Sequence, residues 1–280
     1  MKALRMVRVA LATLTFVAAN LFFFGLAEWA SILFKVQLLP AVLAFNGAAV
    51  LAVVTATLLF GRVYCSVVCP MGIFQDAVIG LSRRRAAHRK SKPRPLPPPP
   101  RGVRLAALAF SVTAIAFGFV SLGSLLDGYS LYGRMAAQLF RPVYSTVQNL
   151  VAAFLSDHGH PILFREDVFV RGAGATAVAA AGLVGVAALA WWRGRFFCNL
   201  LCPVGAVLAL LSKCPFVRLV IDSTKCVECG LCARACKCGA IDFRNGKVDD
   251  TACVRCLDCL VACRKSALEL RSHTFLPSPK

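Results

Sequence analysis

Cys226-Val227-Glu228-Cys229-Gly230-Leu231-Cys232-Ala233-Arg234-Ala235-Cys236 and Cys253-Val254-Arg255-Cys256-Leu257-Asp258-Cys259-Leu260-Val261-Ala262-Cys263 decide how the C-terminal part of the chain folds. Each stretch spaces its cysteines as C-x2-C-x2-C-x3-C, a pattern that iron–sulfur clusters require. Zinc is the main metal rival, but it is usually held by paired C-x2-C knuckles spread over a longer finger. Two copies of a four-cysteine spacing in one short window favour iron–sulfur chemistry over zinc or disulfides.

The doubled spacing resembles that of bacterial two-cluster ferredoxins. In that fold three thiolates occupy three corners of one cubane, and the fourth ligand comes from the other motif. The resemblance implies one [4Fe–4S] cluster on Cys226, Cys229, Cys232 and Cys263, and a second on Cys253, Cys256, Cys259 and Cys236. It also implies a small α+β module. Strands are predicted over Val217–Ile221, Ala240–Phe243, Lys247–Asp249 and Ala267–Leu270, with a turn at Arg244-Asn245-Gly246. The sequence departs from the ferredoxin pattern where Pro normally follows each motif, since Lys237 and Arg264 stand there. Cys238 reads as a bystander thiol.

Working outward, the rest of the chain is apolar. Hydrophobic residues make up 58% and mean hydropathy is +0.70, whereas soluble domains are about 45–50% apolar. The expected architecture is an α-helical membrane protein with four transmembrane helices over residues 1–215, followed by a cytoplasmic ferredoxin-type domain over 216–280. The formal charge of +19 then reads as membrane topology rather than nucleic-acid binding. Fourteen cysteines would mean disulfides in a secreted chain, but the motif spacing points to thiolate ligands in a reducing compartment. Few intramembrane carboxylates and four His argue against a proton relay.

The predicted spans are Val9–Ala27, Ala41–Phe60, Leu105–Leu126 and Ala173–Trp192, each close to the roughly 20 helical residues that cross a bilayer. The first is read as a retained helix rather than a signal peptide. Asn20 and Asn46 lie within spans, where an amide bonds between helices, and Ala177, Ala181 and Gly185 form a small-residue stripe for close packing. Gly61–Arg104 holds ten Lys/Arg against Asp76 alone, whereas Asp127–Arg171 holds four of each sign. The positive-inside rule therefore places both termini on the cytoplasmic face of a bacterial inner membrane. The basic run Arg83–Arg94 reads as lipid-facing, and the Pro-rich stretch 91–100 as a semi-rigid linker.

Between the third and fourth spans, Met135–Leu139 and Val143–Leu155 have helical periodicity and are expected along the outer surface. Tyr129, Tyr132 and Tyr144 with Arg134 and Arg141 suit either interfacial anchoring or a quinone headgroup pocket. His158 and His160 lack a third ligand and read as loop residues. Cys214 has no partner at motif spacing and reads as structural.

An internal repeat completes the pattern. Gly61-Arg62-Val63-Tyr64-Cys65-Ser66-Val67-Val68-Cys69-Pro70-Met71-Gly72 matches Gly194-Arg195-Phe196-Phe197-Cys198-Asn199-Leu200-Leu201-Cys202-Pro203-Val204-Gly205 at a constant offset of 133 residues. The membrane part is therefore two related units, each ending in C-x3-C-P at the cytoplasmic end of a span. A helical C-x3-C pair presents both thiols on one face. Cys65, Cys69, Cys198 and Cys202 are candidates for an additional redox or metal site: a third cluster, a dithiol, or a copper site.

Four spans, two such motifs and a two-cluster module resemble the polyferredoxin-type membrane proteins that include NapH, the membrane half of NosR, and CcoG. Size and layout are nearest to NapH. The resemblance implies an electron-transfer component rather than a stand-alone enzyme, passing electrons between a membrane quinol and a redox protein partner, with quinone as a candidate cofactor and membrane lipid as its setting. Lys225, Arg234, Lys237, Arg255, Arg264 and Lys265 would stabilise the reduced clusters and steer an acidic partner. The alternative is a metal-handling or cytochrome oxidase assembly factor that binds copper through Cys65, Cys69, Cys198 and Cys202. A redox sensor is a third reading.

Overall fold

In the computed structural model residues 2–88, 95–158, 168 and 172–272 are described, the side chains of Glu28, Leu33 and Phe34 excepted. The first half contains α1 (Lys2–Phe23), a 3-10 turn (Glu28–Ala30), α2 (Ser31–Val36), α3 (Leu38–Leu43), α4 (Gly47–Phe60), α5 (Tyr64–Val67) and α6 (Pro70–His88). Then come α7 (Arg101–Ala116), α8 (Val120–Gly123), α9 (Gly128–Met135), a π-helical turn (Ala136–Phe140), α10 (Arg141–Asp157), α11 (Ala173–Arg193), α12 (Phe196–Leu200) and α13 (Pro203–Leu211). The C-terminal region adds β1 (Val217–Ile221), α14 (Leu231–Ala235), β2 (Ile241–Asp242), β3 (Lys247–Val248), α15 (Asp258–Ala262) and β4 (Leu268–Ser272). The chain is thus mostly helical, with a C-terminal ferredoxin-type region.

Among the described residues, α1 and α11 are long and apolar enough to cross a membrane. The second and third predicted spans are broken. Phe45 takes a left-handed φ of 52°, and Asn46 caps α4 by accepting from the Ala49 N–H at 3.2 Å. Asn46 is therefore a helix cap and not an interhelical amide. α4 alone has 14 residues, about 21 Å of helix. In the third span the chain reverses at Gly118 (φ 84°), and α8 folds back on α7 so closely that a Cβ on Gly123 would lie 2.9 Å from the Ser111 carbonyl oxygen.

The segment expected along the outer surface begins in the core instead. α9 packs against α6 and α11, with Tyr132 and Met135 buried. A side chain on Gly182 of α11 would strike Leu131. The tyrosine hydroxyl of Tyr132 donates to Asn20 at 2.8 Å, the interhelical bond expected of that amide. Further along this segment α10 has an exposed apolar stripe, at Val143, Val147, Leu150 and Phe154. The small-residue stripe on α11 is also displaced: Ala177, Ala181 and Gly185 are exposed, and the packed face is Ala179, Val186 and Ala190. A helix made largely of small residues offers several such stripes, and packing partners select one.

In the C-terminal region β1 pairs antiparallel with β4 from Val217↔Ser272 to Ile221↔Leu268. β2 pairs with β3 at Ile241↔Val248 and Asp242↔Lys247. All four strands lie where alternation placed them, within two residues at their ends. This region is packed onto the helices rather than tethered to them: Arg83 donates to the Ala235 carbonyl at 2.8 Å, Arg255 to that of Phe60 at 3.1 Å, and the Arg195 N–H to that of Lys237 at 2.8 Å.

Candidate iron–sulfur and thiol sites

The two cysteine loops share one backbone pattern. Glu228 (φ 51°) and Gly230 (φ 68°) in the first match Arg255 (φ 54°) and Leu257 (φ 63°) in the second. Left-handed residues alternating along a loop turn successive N–H groups inward, the nest geometry found at phosphate and Fe–S sites. For the non-glycine residues this conformation costs about 1–3 kcal/mol each and persists where a site demands it. After each loop a short helix, α14 or α15, carries the third cysteine.

A cavity of about 210 Å³ is bounded by Cys226, Cys229, Cys232 and Cys263, with Phe243 and Leu268. That is far more than the roughly 10–15 Å³ one water needs, so the space suits a polyatomic group. A neighbouring cleft is lined by Cys236, Cys253, Cys256 and Cys259, and also by Cys238. In each space three cysteines of one motif meet the last cysteine of the other. Among the described residues no three His, Cys, Asp or Glu side chains converge on a single-ion site. A cubane puts each thiolate on its own iron and needs no such convergence. Burial pushes the free Cys253 thiol up to about 12, against the pull of Arg255, so that thiol sheds its proton on binding metal.

The duplicated motif builds a second, buried cluster. Cys65, Cys69, Cys198 and Cys202 are all buried in one core. Burial and then the neighbouring Cys198, Cys65 and Cys202 push the Cys69 thiol well up. The C-x3-C pairs are not on one helix face, as expected, because each is split between two helices. Cys65 and Cys198 lie in α5 and α12, whereas Cys69 precedes Pro70 of α6 and Cys202 caps α13, its Sγ accepting from the Gly205 N–H at 3.4 Å. Both motifs begin where α4 and α11 end, at Gly61 and Gly194, and Thr15 of α1 donates to the Val67 carbonyl there.

The two halves interlock reciprocally. Arg62 of the first motif donates to the Cys198 carbonyl of the second at 3.1 Å, and Arg195 of the second donates to the Cys65 carbonyl of the first at 2.7 Å. Both arginines are fully buried, with 0% exposure. The motif glycines make room for this exchange: a Cβ on Gly72 would lie 2.0 Å from the Cys65 carbonyl oxygen, and one on Gly205 would lie 2.1 Å from that of Cys198.

Asp76 anchors the charges. It accepts from Arg8 at 2.6 Å and from Arg195 Nε at 2.8 Å, and Lys237 lies 3.3 Å away. Arg195 Nη2 is 2.7 Å from the other oxygen but too poorly angled for a hydrogen bond. Burial alone would raise the Asp76 carboxyl; Arg195, Lys237 and Arg8 together hold it well below the usual range. Lys237 continues to Asp258 at 2.8 Å, which meets Arg5 at 2.7 Å. Lys237 and Arg255 are thus interface staples and not partner-facing charges, because the helices cover them. Lys225 pairs with Glu269 at 2.7 Å on the surface.

A link between the two sites was not legible in the sequence. Asn199 accepts from Arg62 and donates to the carbonyls of Ala252 at 3.2 Å and Cys238 at 3.5 Å. Arg62 also reaches Cys65 Sγ at 3.9 Å, and Gln75 donates to Cys198 Sγ at 3.0 Å. Cys238 therefore lies where cleft and thiol cluster meet, its backbone carbonyl accepting from Asn199. Asn199 sits where the repeat has Ser66, and that asymmetry is its only sequence signal.

Among the described residues, the tyrosines and arginines suggested for quinone pack on different partners. Tyr129 and Tyr132 pack on Phe23, while Tyr144 stacks on Phe24. Arg134 lines a cavity of about 480 Å³, with Gln138, Ser121 and Leu125. His158 caps α10 through the Phe154 carbonyl at 2.8 Å; His160 and residues 89–94 of the basic run lie outside the described residues. Cys214 is exposed, so it has no packing role.

A family profile described as a 4Fe-4S binding domain matches residues 42–87 and again 175–220, and a second 4Fe-4S binding domain profile matches 219–242. The first profile thus falls on both repeats, including the C-x3-C-P motifs. YccM of Escherichia coli K12, provisionally named an electron transport protein, is 24% identical over 198 residues, 71% of this chain and 47% of its own. MauN of Methylorubrum extorquens, named a methylamine utilization ferredoxin-type protein, is 30% identical over 198 residues, 70% of this chain and 54% of its own. The chain therefore spans about half the length of these curated relatives. No solved structure matches. The chain carries 4Fe-4S ferredoxin-type domains and is distantly related to proteins named for electron transport.

Proposed function

We propose that the chain is a multi-pass protein of the bacterial inner membrane that moves electrons between a membrane quinol and a redox protein. It crosses four times, at α1, α4, α7 and α11, with both termini cytoplasmic. Bound [4Fe–4S] clusters supply one-electron chemistry. The first ligand set is Cys226, Cys229, Cys232 and Cys263; the second is Cys236, Cys253, Cys256 and Cys259. Cys65, Cys69, Cys198 and Cys202 form an additional redox centre, and iron–sulfur is favoured over copper there because a 4Fe-4S profile falls on both motifs. Arg134 marks the quinol headgroup pocket.

The observation that carries this reading is the connection Cys238–Asn199–Arg62, which joins the second cysteine cleft to Cys65 and Cys198. Asn199 and Arg62 position the two sites against each other, and burial excludes water between them. The test is electron flow from a reduced quinol analogue to the C-terminal clusters in membranes. Asn199→Leu and Cys198→Ser should each slow it, and Cys65→Ser with Cys198→Ser should cost little more than either alone, since residues acting as a unit are not additive. Unchanged flow in all of them refutes the role. Cys236→Ser should deplete about half the iron of the C-terminal region, leaving the spectrum of the first set; loss of the first set's signal instead means the connectivity is wrong.

A further inference from the structure

A cavity of about 820 Å³ lies between the start of α7, the end of α13 and the β2–β3 hairpin, and none of the sites above uses it. Arg101, Arg104, Lys213, Arg218, Arg244 and Lys247 line it. Among the described residues only Arg218 of these meets a carboxylate, Asp250 at 3.8 Å. Three carboxylates also line it, so the cations exceed them by three: Asp242 bonds Asn245, Asp249 bonds Thr251 and Asp250 pairs with Arg255 at 2.8 Å.

Arg104 is the informative group. It is 5% exposed, and its polar contact is the Thr251 carbonyl at 3.4 Å, an oxygen already taken by Arg62 at 3.0 Å. Burial and the nearby guanidiniums of Arg62 and Arg101 work against its charge, and Asp249, which favours it, offsets them only in part. Among the described residues Arg104 makes no ion pair within 4 Å, and a buried cation so weakly compensated is costly. α7 also opens at Pro100 with no side-chain cap, leaving first-turn N–H groups and the positive helix end at the cavity. Anions are favoured here twice over.

The same helix ends also bring apolar side chains to the cavity. Leu105 and Leu210 line the cavity and are 48% and 39% exposed; Leu96 and Pro98 join them. A free anion would leave these leucines wet, whereas cations facing exposed apolar side chains at helix ends match a headgroup with its chains. We infer that this cavity binds the phosphate headgroup of an anionic phospholipid, with the acyl chains against Leu105 and Leu210. The inference rests on the membrane reading above. Ile241 is a wall of both this cavity and the second cysteine cleft, and Phe243 of both this cavity and the first. The lipid would therefore brace the cluster-bearing region against the bilayer.

The test uses cluster-loaded protein, delipidated in detergent and titrated with phosphatidylglycerol, cardiolipin, phosphatidylcholine or inorganic phosphate, reading retained ligand by native mass spectrometry alongside thermal unfolding. Anionic phospholipid should be retained and raise the unfolding temperature; phosphatidylcholine should do neither. Arg101→Gln and Lys213→Gln, both at exposed positions, should each weaken anionic-lipid binding about five-fold with iron content unchanged, and Arg104→Gln should weaken it further. Equal retention of phosphatidylcholine overturns the proposal, as does full competition by inorganic phosphate, which would make this a free-anion site. Release of the protein from native membranes by alkaline carbonate would overturn the membrane reading itself, whichever lipid binds.

Discussion

Asp76→Asn should destabilise the protein by about 3–5 kcal/mol, the usual result of removing one partner from a buried ion network. The amide cannot balance Arg8, Arg195 and Lys237, which all lie within 3.3 Å of the carboxylate. The effect has a pH signature with a definite sign. A carboxyl held below its unfolded value stabilises the fold above that value, about 3.9, and the contribution is lost as pH falls toward the lower folded one. Thermal unfolding followed from pH 7 down to pH 3 should show a steeper loss for the natural protein than for Asp76→Asn. Parallel curves would mean the neighbouring cations are neutralised by something other than Asp76. Because Lys237 follows Cys236, the variant should also loosen the second ligand set first.

The glycines at the ends of the two motifs should be nearly as sensitive. Gly205→Ala places a methyl 2.1 Å from the Cys198 carbonyl oxygen, and Gly72→Ala one 2.0 Å from that of Cys65. Neither contact can relax by a rotamer change, because the opposing atom is backbone, so each variant should lose at least about 3 kcal/mol, the upper end of overpacking costs. Gly80→Ala is the internal control: it lies in α6 with nothing within 4 Å of a Cβ, and alanine in an open helical position should gain about 0.4–1 kcal/mol. Thermal unfolding of the three variants decides the point. Similar stability of Gly72→Ala and Gly80→Ala would remove the reciprocal packing from the account.

The C-terminal region was readable because its constraints are local. Cysteine spacing sets loop shape and alternation sets strands, so Val217–Ile221 is found as predicted. The helical part was readable in outline only. Hydropathy registers apolar residues but not direction, so Leu105–Leu126 reads as one span although Gly118 turns the chain back. Tyr132 and Met135 look interfacial in sequence because their partners on α6 and α11 are distant in the chain. The repeat exposed the four motif thiols and the invariant pairing of Gly, Arg and Pro with them. It did not expose that each arginine serves the opposite half, since a one-dimensional match cannot tell a contact within a unit from an exchange between units.

That exchange sets a clock on biosynthesis. Arg62 leaves the ribosome without its acceptors, the Cys198 carbonyl and the Asn199 amide, which are 136 and 137 residues downstream. At about 5–20 residues per second the first half waits roughly 7 to 27 s with a guanidinium that cannot be buried. During that interval the nascent chain is a client for whatever shields it. A split gene expressed as two pieces should therefore succeed or fail together, each fragment being degraded alone and rescued when the other is made beside it.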